Sequence, residues 1–406
     1  MLERFDAVVI GGGQAGLATS CELNRLGIDH VVLERARIGQ TWRDLWESFC
    51  LVTPNWSVRL PGHPYDGDDP DGFMPRDEIV AYLERYATAV GSPIREGVDV
   101  ATVRPADGGF LLDTSGGDLR ASSVVIATGT YARPHRPHAE TLPSGVLQID
   151  VRDYDEPSTL PEGAVLIIGS GQSGCQLAEE LHQAGRDVVL SCGKAPWFPR
   201  RLAGRDLVWW AAESGFLDAP LASLPDPSAA RLTANPLASG HGGGHDLHLR
   251  TLAALGVRLR GHFLGAEGGR FRFADDLAAS VAWGDEWYGM FADLIRKLAA
   301  DRGMDPVDVP DPEPFVDRST GSVDVNGFGT VIYAGGFRPD FGSLVPVPGA
   351  FDDQGFPVHA DGHCTVVPGL FFVGVHFLRK RKSSILYGVG EDARIVAAGV
   401  AARARS

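Results

Sequence analysis

Two glycine-spaced segments carry the clearest chemistry in this sequence. Gly11, Gly13 and Gly16 form one GxGxxG, and Gly169, Gly171 and Gly174 form a second. In such a turn the first glycine tightens the bend, the second lets a pyrophosphate reach the backbone, and the third lets the following helix pack on its strand. The helix N-terminus then offers N–H donors and the positive end of its dipole to the anion. Each segment follows a short apolar run, opens a helical pattern, and leads to a second apolar run ending 22 or 23 residues past its first glycine, the context a dinucleotide site requires. What ends that second run discriminates between ligands. Glu34 ends the first, where a carboxylate accepts ribose hydroxyls and repels a 2′-phosphate, so this turn suits FAD. Ser191 ends the second, followed by Lys194, Arg200 and Arg201, whose cations either pair a 2′-phosphate, favouring NADPH over NADH, or stand as surface charges.

Other reactive residue types are less organised. His241, His245 and His248 have a spacing that could hold a metal, but no acidic or cysteine partner completes a set, and a glycine loop leading to a helix capped by Asp246 accounts for them more simply. The five cysteines, Cys21, Cys50, Cys175, Cys192 and Cys364, are scattered and odd in number. With no CxxC pair they write neither a dithiol redox centre, nor a zinc knuckle, nor a disulfide framework, and they fit a reducing compartment. The balance of 37 Lys+Arg against 52 Asp+Glu, a net charge of −15, argues against a nucleic-acid partner, whose phosphates need concentrated cations. The one basic run, residues 379–382, reads as a solvated loop. No apolar stretch approaches the roughly 18 residues of a membrane span, and the first apolar run is too short for a signal peptide, so the expectation is a soluble, cytoplasmic chain with no membrane partner.

Elements that position these residues follow from the apolar pattern. Short continuous runs at residues 7–10, 31–33, 124–127, 165–168, 188–190, 331–334 and 370–373 read as strands buried on both faces, and several lead through glycine into helical sequence. The fold class expected is α/β, with parallel sheets. The segment starting near Ala164 repeats the pattern of the first thirty residues, so the nucleotide-binding unit is duplicated. At 406 residues the chain has room for two to three domains, and 44% hydrophobic residues supply cores for them. Residues 203–314, with their Pro and Gly breaks, read as a mostly helical insertion.

At this point the sequence resembles the flavin-containing, class B flavoprotein monooxygenases, within their bacterial and plant auxin-forming branch. The likeness covers nearly the whole chain. It rests on GGGQAG near the start, TWRDLWESFCLVTPNWSVRLPG from Thr41, VVIATGTYARPHRP from Val124, IIGSGQSG from Ile167, VIYAGGFRPD from Val331, and FFVGVHFLRKRKSSILYGVGEDA from Phe371. The resemblance implies two Rossmann-like dinucleotide-binding domains: an FAD domain of residues 1–155 and 325–406, and an NADPH domain of residues 156–324 that carries the insertion. It implies FAD contacts at Gly11, Gly13, Gln14, Ala15, Gly16, Glu34, Arg35, Trp42, Arg43, Leu51, Thr53, Val100, Ala127, Thr128 and Gly129. It also implies NADPH contacts at Ser170, Gln172 and Ser173 besides Gly169, Gly171 and Gly174.

The chemistry implied is monooxygenation of a small organic substrate by dioxygen through a flavin C4a-(hydro)peroxide, with a homodimer among the allowed assemblies. Asn55 is then the candidate catalytic residue, its amide serving flavin N5 and the peroxide, or else simply ending a turn after Pro54. Trp42 and Trp46 either shield the flavin or pack on one helix face. Gly388 and Gly390 precede a helix whose N-terminus could face the flavin N1 and C2 carbonyl. The alternative is an NADPH-dependent flavoprotein reductase without a redox disulfide. One departure is sharp. The family fingerprint Phe-x-Gly-x-x-x-His-x-x-x-Phe/Tyr, aligned on Tyr154, places Asp150 where the histidine belongs and leaves Gly145 one place off, so hydrogen bonding in that stretch differs from the family's.

Overall fold

A computed structural model describes residues 2–405. The parallel centre of a mixed first sheet and a fully parallel second sheet follow directly from the apolar runs. In the strand Glu3–Ile10, Val8 and Ile10 face one core while Ala7 and Val9 face another, so the run has to be apolar throughout. The first sheet has nine strands. At its centre Glu3–Ile10 lies between His30–Glu34 and Leu119–Ile126, and Leu370–Phe372 adds beside the latter, all parallel. The helices Gln14–Arg25 and Val389–Ala404 cover one face together, burying Leu17, Val396 and Val400 completely, at about 1.5–3 kcal/mol for each large side chain.

The second sheet is fully parallel, in the order Leu147–Asp150, Phe328–Tyr333, Ala164–Ile168, Val188–Ser191, Arg258–Arg260. All seven expected runs lie in or against strands. The run at 331–334 belongs to the second sheet, since Val331 pairs with both Gln148 and Leu166. Leu147–Asp150 and Phe328–Tyr333, both strands of the second sheet, flank the stretch between 155 and 325. The insertion is also less helical than expected. It holds the 25-residue helix Leu277–Asp301 and two seven-residue helices, but it also supplies the sheet-edge strand Arg258–Arg260 and the hairpin Phe263–Glu267 with Arg270–Phe273.

The chain passes between the sheets twice, and the crossings pair with each other, Arg133 facing Arg338 and Pro134 facing Phe337. Asp150 explains its place at the start of this region. Its buried carboxylate accepts from Nε and one terminal nitrogen of Arg136, at 2.9 and 2.5 Å, and so ties a crossing segment to the sheet edge. No helix among the described residues is long and apolar enough to cross a membrane.

Candidate dinucleotide sites

The two glycine turns have nearly the same geometry. Gly11 and Gly169 have φ of 112° and 113°, a region that L side chains rarely adopt, and a Cβ on either would stand 2.6 Å from the carbonyl oxygen of Ala127 or Ala334. A Cβ on Gly16 or Gly174 would overlap the carbonyl oxygen of the turn's own first glycine. The middle glycines differ. A Cβ on Gly13 would meet nothing within 4 Å, and one on Gly171 would meet only Ala234 Cβ, at 3.7 Å. Both turns thus leave open backbone at the place a pyrophosphate approaches, with a twelve-residue helix starting behind it.

The first turn fits FAD further. Glu34 is buried at the strand end, its Oε2 accepting from Gly12 N–H at 2.7 Å and its Oε1 from Ala36 N–H at 3.0 Å, so the carboxylate is fixed while lone pairs remain for ribose. Gln14 joins three stretches: its Oε1 accepts from Trp42 Nε1 at 3.1 Å and its Nε2 donates to Ser384 O at 3.2 Å. Arg43 is ion-paired with Glu84, and Arg35 is exposed. Leu51 and Val100 are buried; Thr53 is half-buried; Gly129 takes a φ of 74° beyond the strand that ends at Ile126, next to exposed Thr128. Ala15 packs against the Gly374 turn.

Asn55 is committed to its own loop. It is buried, its Oδ1 accepts from Met74 N–H at 2.7 Å, and its Nδ2 donates to Asp69 O at 2.9 Å. That is the turn-holding role, extended over the whole 69–74 segment. Trp46 lies outside the short helix Gln40–Arg43 and packs edge-on against Phe49, so Trp42 and Trp46 do not share a helix face.

In the second turn the register corrects a reading from sequence. Gly11 N–H bonds Leu33 O at 2.8 Å, and Gly169 N–H bonds Ser191 O at 3.0 Å, so Ser191 is the counterpart of Leu33. The counterpart of Glu34 is Cys192. Gln172 donates to Pro236 O at 2.7 Å, Ser170 bonds Gly193, and Ser173 is half-buried. The three cations divide. Lys194 is exposed. Arg200 is only 2% exposed: Nε donates to Asp206 at 2.8 Å, one terminal nitrogen donates to Val52 O at 2.7 Å, and the guanidinium stacks 4.4 Å from the Phe73 ring. Burial pulls its pKa below the usual arginine value, against the pull of Asp206. Arg201 donates to the Gly243 and Gly244 carbonyls at 2.9 Å each. Arg200 is thus withdrawn from the surface and bolts the second unit to the 52–73 segment of the first, whereas Arg201 stays exposed beside the Gly243 and Gly244 carbonyls.

The basic run is likewise not a solvated loop. Lys382 is buried, ion-paired with Glu391 and, at 3.0 Å, with Asp218; Lys380 reaches Asp218 at 2.6 Å and Glu391 at 3.2 Å. Arg381 lies 4.1 Å from the Phe216 ring and 4.7 Å from Phe377. Gly388 is needed because a Cβ there would strike Lys382, and Gly390 because a Cβ would press on Pro61 at 3.0 Å, so protein atoms fill the space that these glycines open. The RKRK segment followed by Glu391 and Asp392 was the available signal for this latch; Asp218 lay too far off in sequence to suggest itself. Asp246 accepts from Arg200 N–H at 2.6 Å, and His248 precedes the helix Leu249–Leu255 in its place. His245 pairs with Glu179 at 2.9 Å, and no metal-holding group of His, Cys, Asp or Glu occurs among the described residues.

Comparison with known proteins places this geometry. The sequence profile described as pyridine nucleotide-disulphide oxidoreductase matches residues 8–204. The CzcO-like oxidoreductase of Geobacillus kaustophilus is 32% identical over 391 residues, 96% of this chain and 96% of that protein. The indole-3-pyruvate monooxygenase YUCCA1 of Oryza sativa subsp. japonica is 31% identical over 185 residues, 44% of this chain and 45% of its own. Among solved structures, the flavin-containing monooxygenase from Stenotrophomonas maltophilia superposes with a TM-score of 0.65 at 21% identity, covering 99% of both chains.

Proposed function

Since the chain belongs to the family of the CzcO-like oxidoreductases, we propose that it is an FAD- and NADPH-dependent flavoprotein of the class B flavin monooxygenase kind that transfers one oxygen atom of dioxygen to a small organic substrate. The observation that carries this reading is the pair of glycine turns, one on each sheet, each with open backbone at its middle glycine. In this reading Gly11, Gly13, Gly16 and Glu34 hold FAD, while Gly169, Gly171 and Gly174 hold NADPH. The FAD unit comprises the first-sheet segments, and the NADPH unit runs from about Leu147 to Tyr333 along the second-sheet strands.

When bound, FAD supplies hydride acceptance and oxygen activation; the chain supplies position and dryness. Gln14 sets Trp42 and the Ser384 segment around the first turn. The Arg200 and Lys382 contacts tie the second unit to the first at two points. Thiol chemistry has no support among the residues. All five cysteines are free and buried; burial pushes Cys50 up to about 11, Cys192 up to about 12 and Cys175 well above its usual value, so these three stay protonated and poorly nucleophilic.

The test is a substrate screen with NADPH and isotope-labelled dioxygen, read by product mass. Incorporation of one labelled atom, with NADPH use coupled to that substrate, is the expected result. Release of one peroxide per NADPH whatever is added would move the assignment to a flavoprotein reductase.

A further inference from the structure

The basic run of residues 379–382 sets four cations in a row, and carboxylates saturate three of them. Arg379 bonds Asp361 at 2.9 Å and Asp392 at 3.0 Å, while Lys380 and Lys382 share Asp218 and Glu391. Arg381 is the exception. Its side chain forms no hydrogen bond or ion pair among the described residues; Nε is sealed from solvent without a partner, whereas the two terminal nitrogens are not sealed. Burial alone pulls its pKa down to about 10, with no carboxylate to raise it.

A sunken cation without a counter-ion is costly to hold, so its place in the fold matters. The loop 375–383 leaves and returns at the first glycine turn: a Cβ on Gly374 would stand 2.5 Å from Ala15 Cβ, and Ser384 O accepts from Gln14 Nε2 at 3.2 Å. From that loop Arg381 reaches the insertion, where its backbone N–H donates to Ala219 O at 3.1 Å and its guanidinium lies 4.1 Å from the Phe216 ring. Phe377, on the loop itself, brings a second ring to 4.7 Å. That residue is fully buried with a φ of 53°, which a phenylalanine rarely adopts, so packing holds its ring in place against the backbone's preference.

The arrangement leaves one kind of contact free. Aromatic rings attract a guanidinium over its face and leave its in-plane N–H groups unused. With Nε enclosed, the terminal nitrogens are the fork that remains, and their spacing matches the two oxygens of a carboxylate. The surroundings favour an anion with an apolar body. Phe216 is backed by Trp287 and Phe291, at 5.8 and 5.3 Å. His376 stands edge-on to Phe377 at 4.9 Å; burial, then the positive fields of Arg381 and Arg231, pull its pKa to about 4, so it is neutral near pH 7 and adds no negative charge.

Hydride has to pass from a dinucleotide on the second sheet to one on the first, so the reaction belongs at the seam between the units, and Arg381 touches both sides of that seam. We infer that Arg381, framed by Phe216 and Phe377, anchors the carboxylate of the substrate, so the molecule oxygenated is a small organic acid with an apolar body rather than an amine or a neutral compound. The inference rests on the monooxygenase reading and deepens it by naming the substrate class.

The experiment is calorimetric titration of the flavin-loaded, NADP+-saturated protein with phenylacetate and hexanoate, each set against its uncharged amide. At least one acid should bind about tenfold or more tighter than its amide. Arg381→Met keeps an apolar chain between the rings and removes the charge; it should erase that ratio by weakening the acid, with the amide within about twofold. Arg381→Lys, a charge without the fork, should fall between. Retained flavin absorbance reports a folded variant, and where a variant does not fold the ratio in the unmodified protein decides. Ratios near one for both acids in the unmodified protein, or ratios unchanged in folded Arg381→Met, overturn the inference and leave oxygen transfer to the labelled-dioxygen screen. Flavin or NADP+ lost in Arg381→Met with the acid-to-amide ratio intact overturns it as well, and assigns the guanidinium to a cofactor phosphate. Acid binding that depends on Arg381, with no labelled oxygen incorporated into any acid, overturns the oxygenase reading while the organic-acid site stands.

Discussion

Gly13 and Gly16 stand three residues apart and fail in different ways when given a side chain. Gly13 has an ordinary extended backbone, with φ −85° and ψ −173°, and open space in front of it. Gly13→Val should therefore leave the far-UV circular dichroism nearly unchanged while the purified protein is colourless, because the valine occupies the pyrophosphate's approach. One FAD per chain in that variant would show the turn to be merely structural. Gly16→Val should instead lose folded protein, since its Cβ meets the Gly11 carbonyl. Asn55 gives a second residue-scale expectation. Asn55→Ala strands Met74 N–H in a buried loop and removes the bond to Asp69 O, for a cost of about 1–3 kcal/mol in denaturant unfolding, with faster proteolysis of the 66–73 segment. At this scale the sequence disclosed residue types better than partners. The glycine spacing announced both turns because each glycine acts through its own backbone. Asn55 could not announce its partners 14 and 19 residues away, and Glu34's counterpart was misplaced by one because an apolar run shows where a strand is buried, not which carbonyl its neighbour bonds.

Among elements, the latch between the insertion and the start of the helix Val389–Ala404 makes a pH-dependent contribution. Burial raises the pKa values of Asp218 and Glu391, but the bonds to Lys380 and Lys382 outweigh it, and both carboxyls end below their ordinary values. A depressed carboxyl contributes stability that is fully present above its unfolded pKa and is lost as pH falls through its folded pKa. The difference in thermal midpoint between the native protein and Asp218→Asn should thus be constant near neutrality and shrink toward zero on the acid side, between about pH 5 and 3. A difference that persists at the acid end would mean that Asp218 acts by packing rather than charge. The strands themselves were legible because runs apolar on both faces have few other uses. Arg258–Arg260 was not, since an edge strand with one buried leucine between two arginines carries no run to read. Nor could the run at 331–334 declare its sheet, because pairing with Gln148 and Leu166 is a choice among equally apolar neighbours.

For the molecule as a whole, Arg200 is the test of how firmly the two units are joined. Arg200→Ala leaves Asp206, already raised by burial, without its cation, and removes the bond to Val52 O, at a cost of about 3–5 kcal/mol. Unfolding followed by flavin release and by far-UV circular dichroism should coincide in the native protein and separate in the variant. Coincident curves in both would show that the units are held by their shared packing alone. The duplicated architecture was visible in the sequence as a repeat, whereas the docking of the units rests on contacts such as Arg200 to Val52, which span 148 positions and leave no periodic trace. The double crossing of the chain also sets an order in time. Every strand of the second sheet lies between Leu147 and Tyr333, while Leu370–Phe372, the neighbour of Leu119–Ile126, and the helix that covers Gln14–Arg25 come later. During synthesis the first glycine turn emerges early, and after Leu119–Ile126 its sheet waits for about 240 further residues, on the order of ten to fifty seconds, before it can close. A nascent chain therefore completes its second nucleotide cradle before its first, and the turn made earliest is the last to become competent to hold its cofactor.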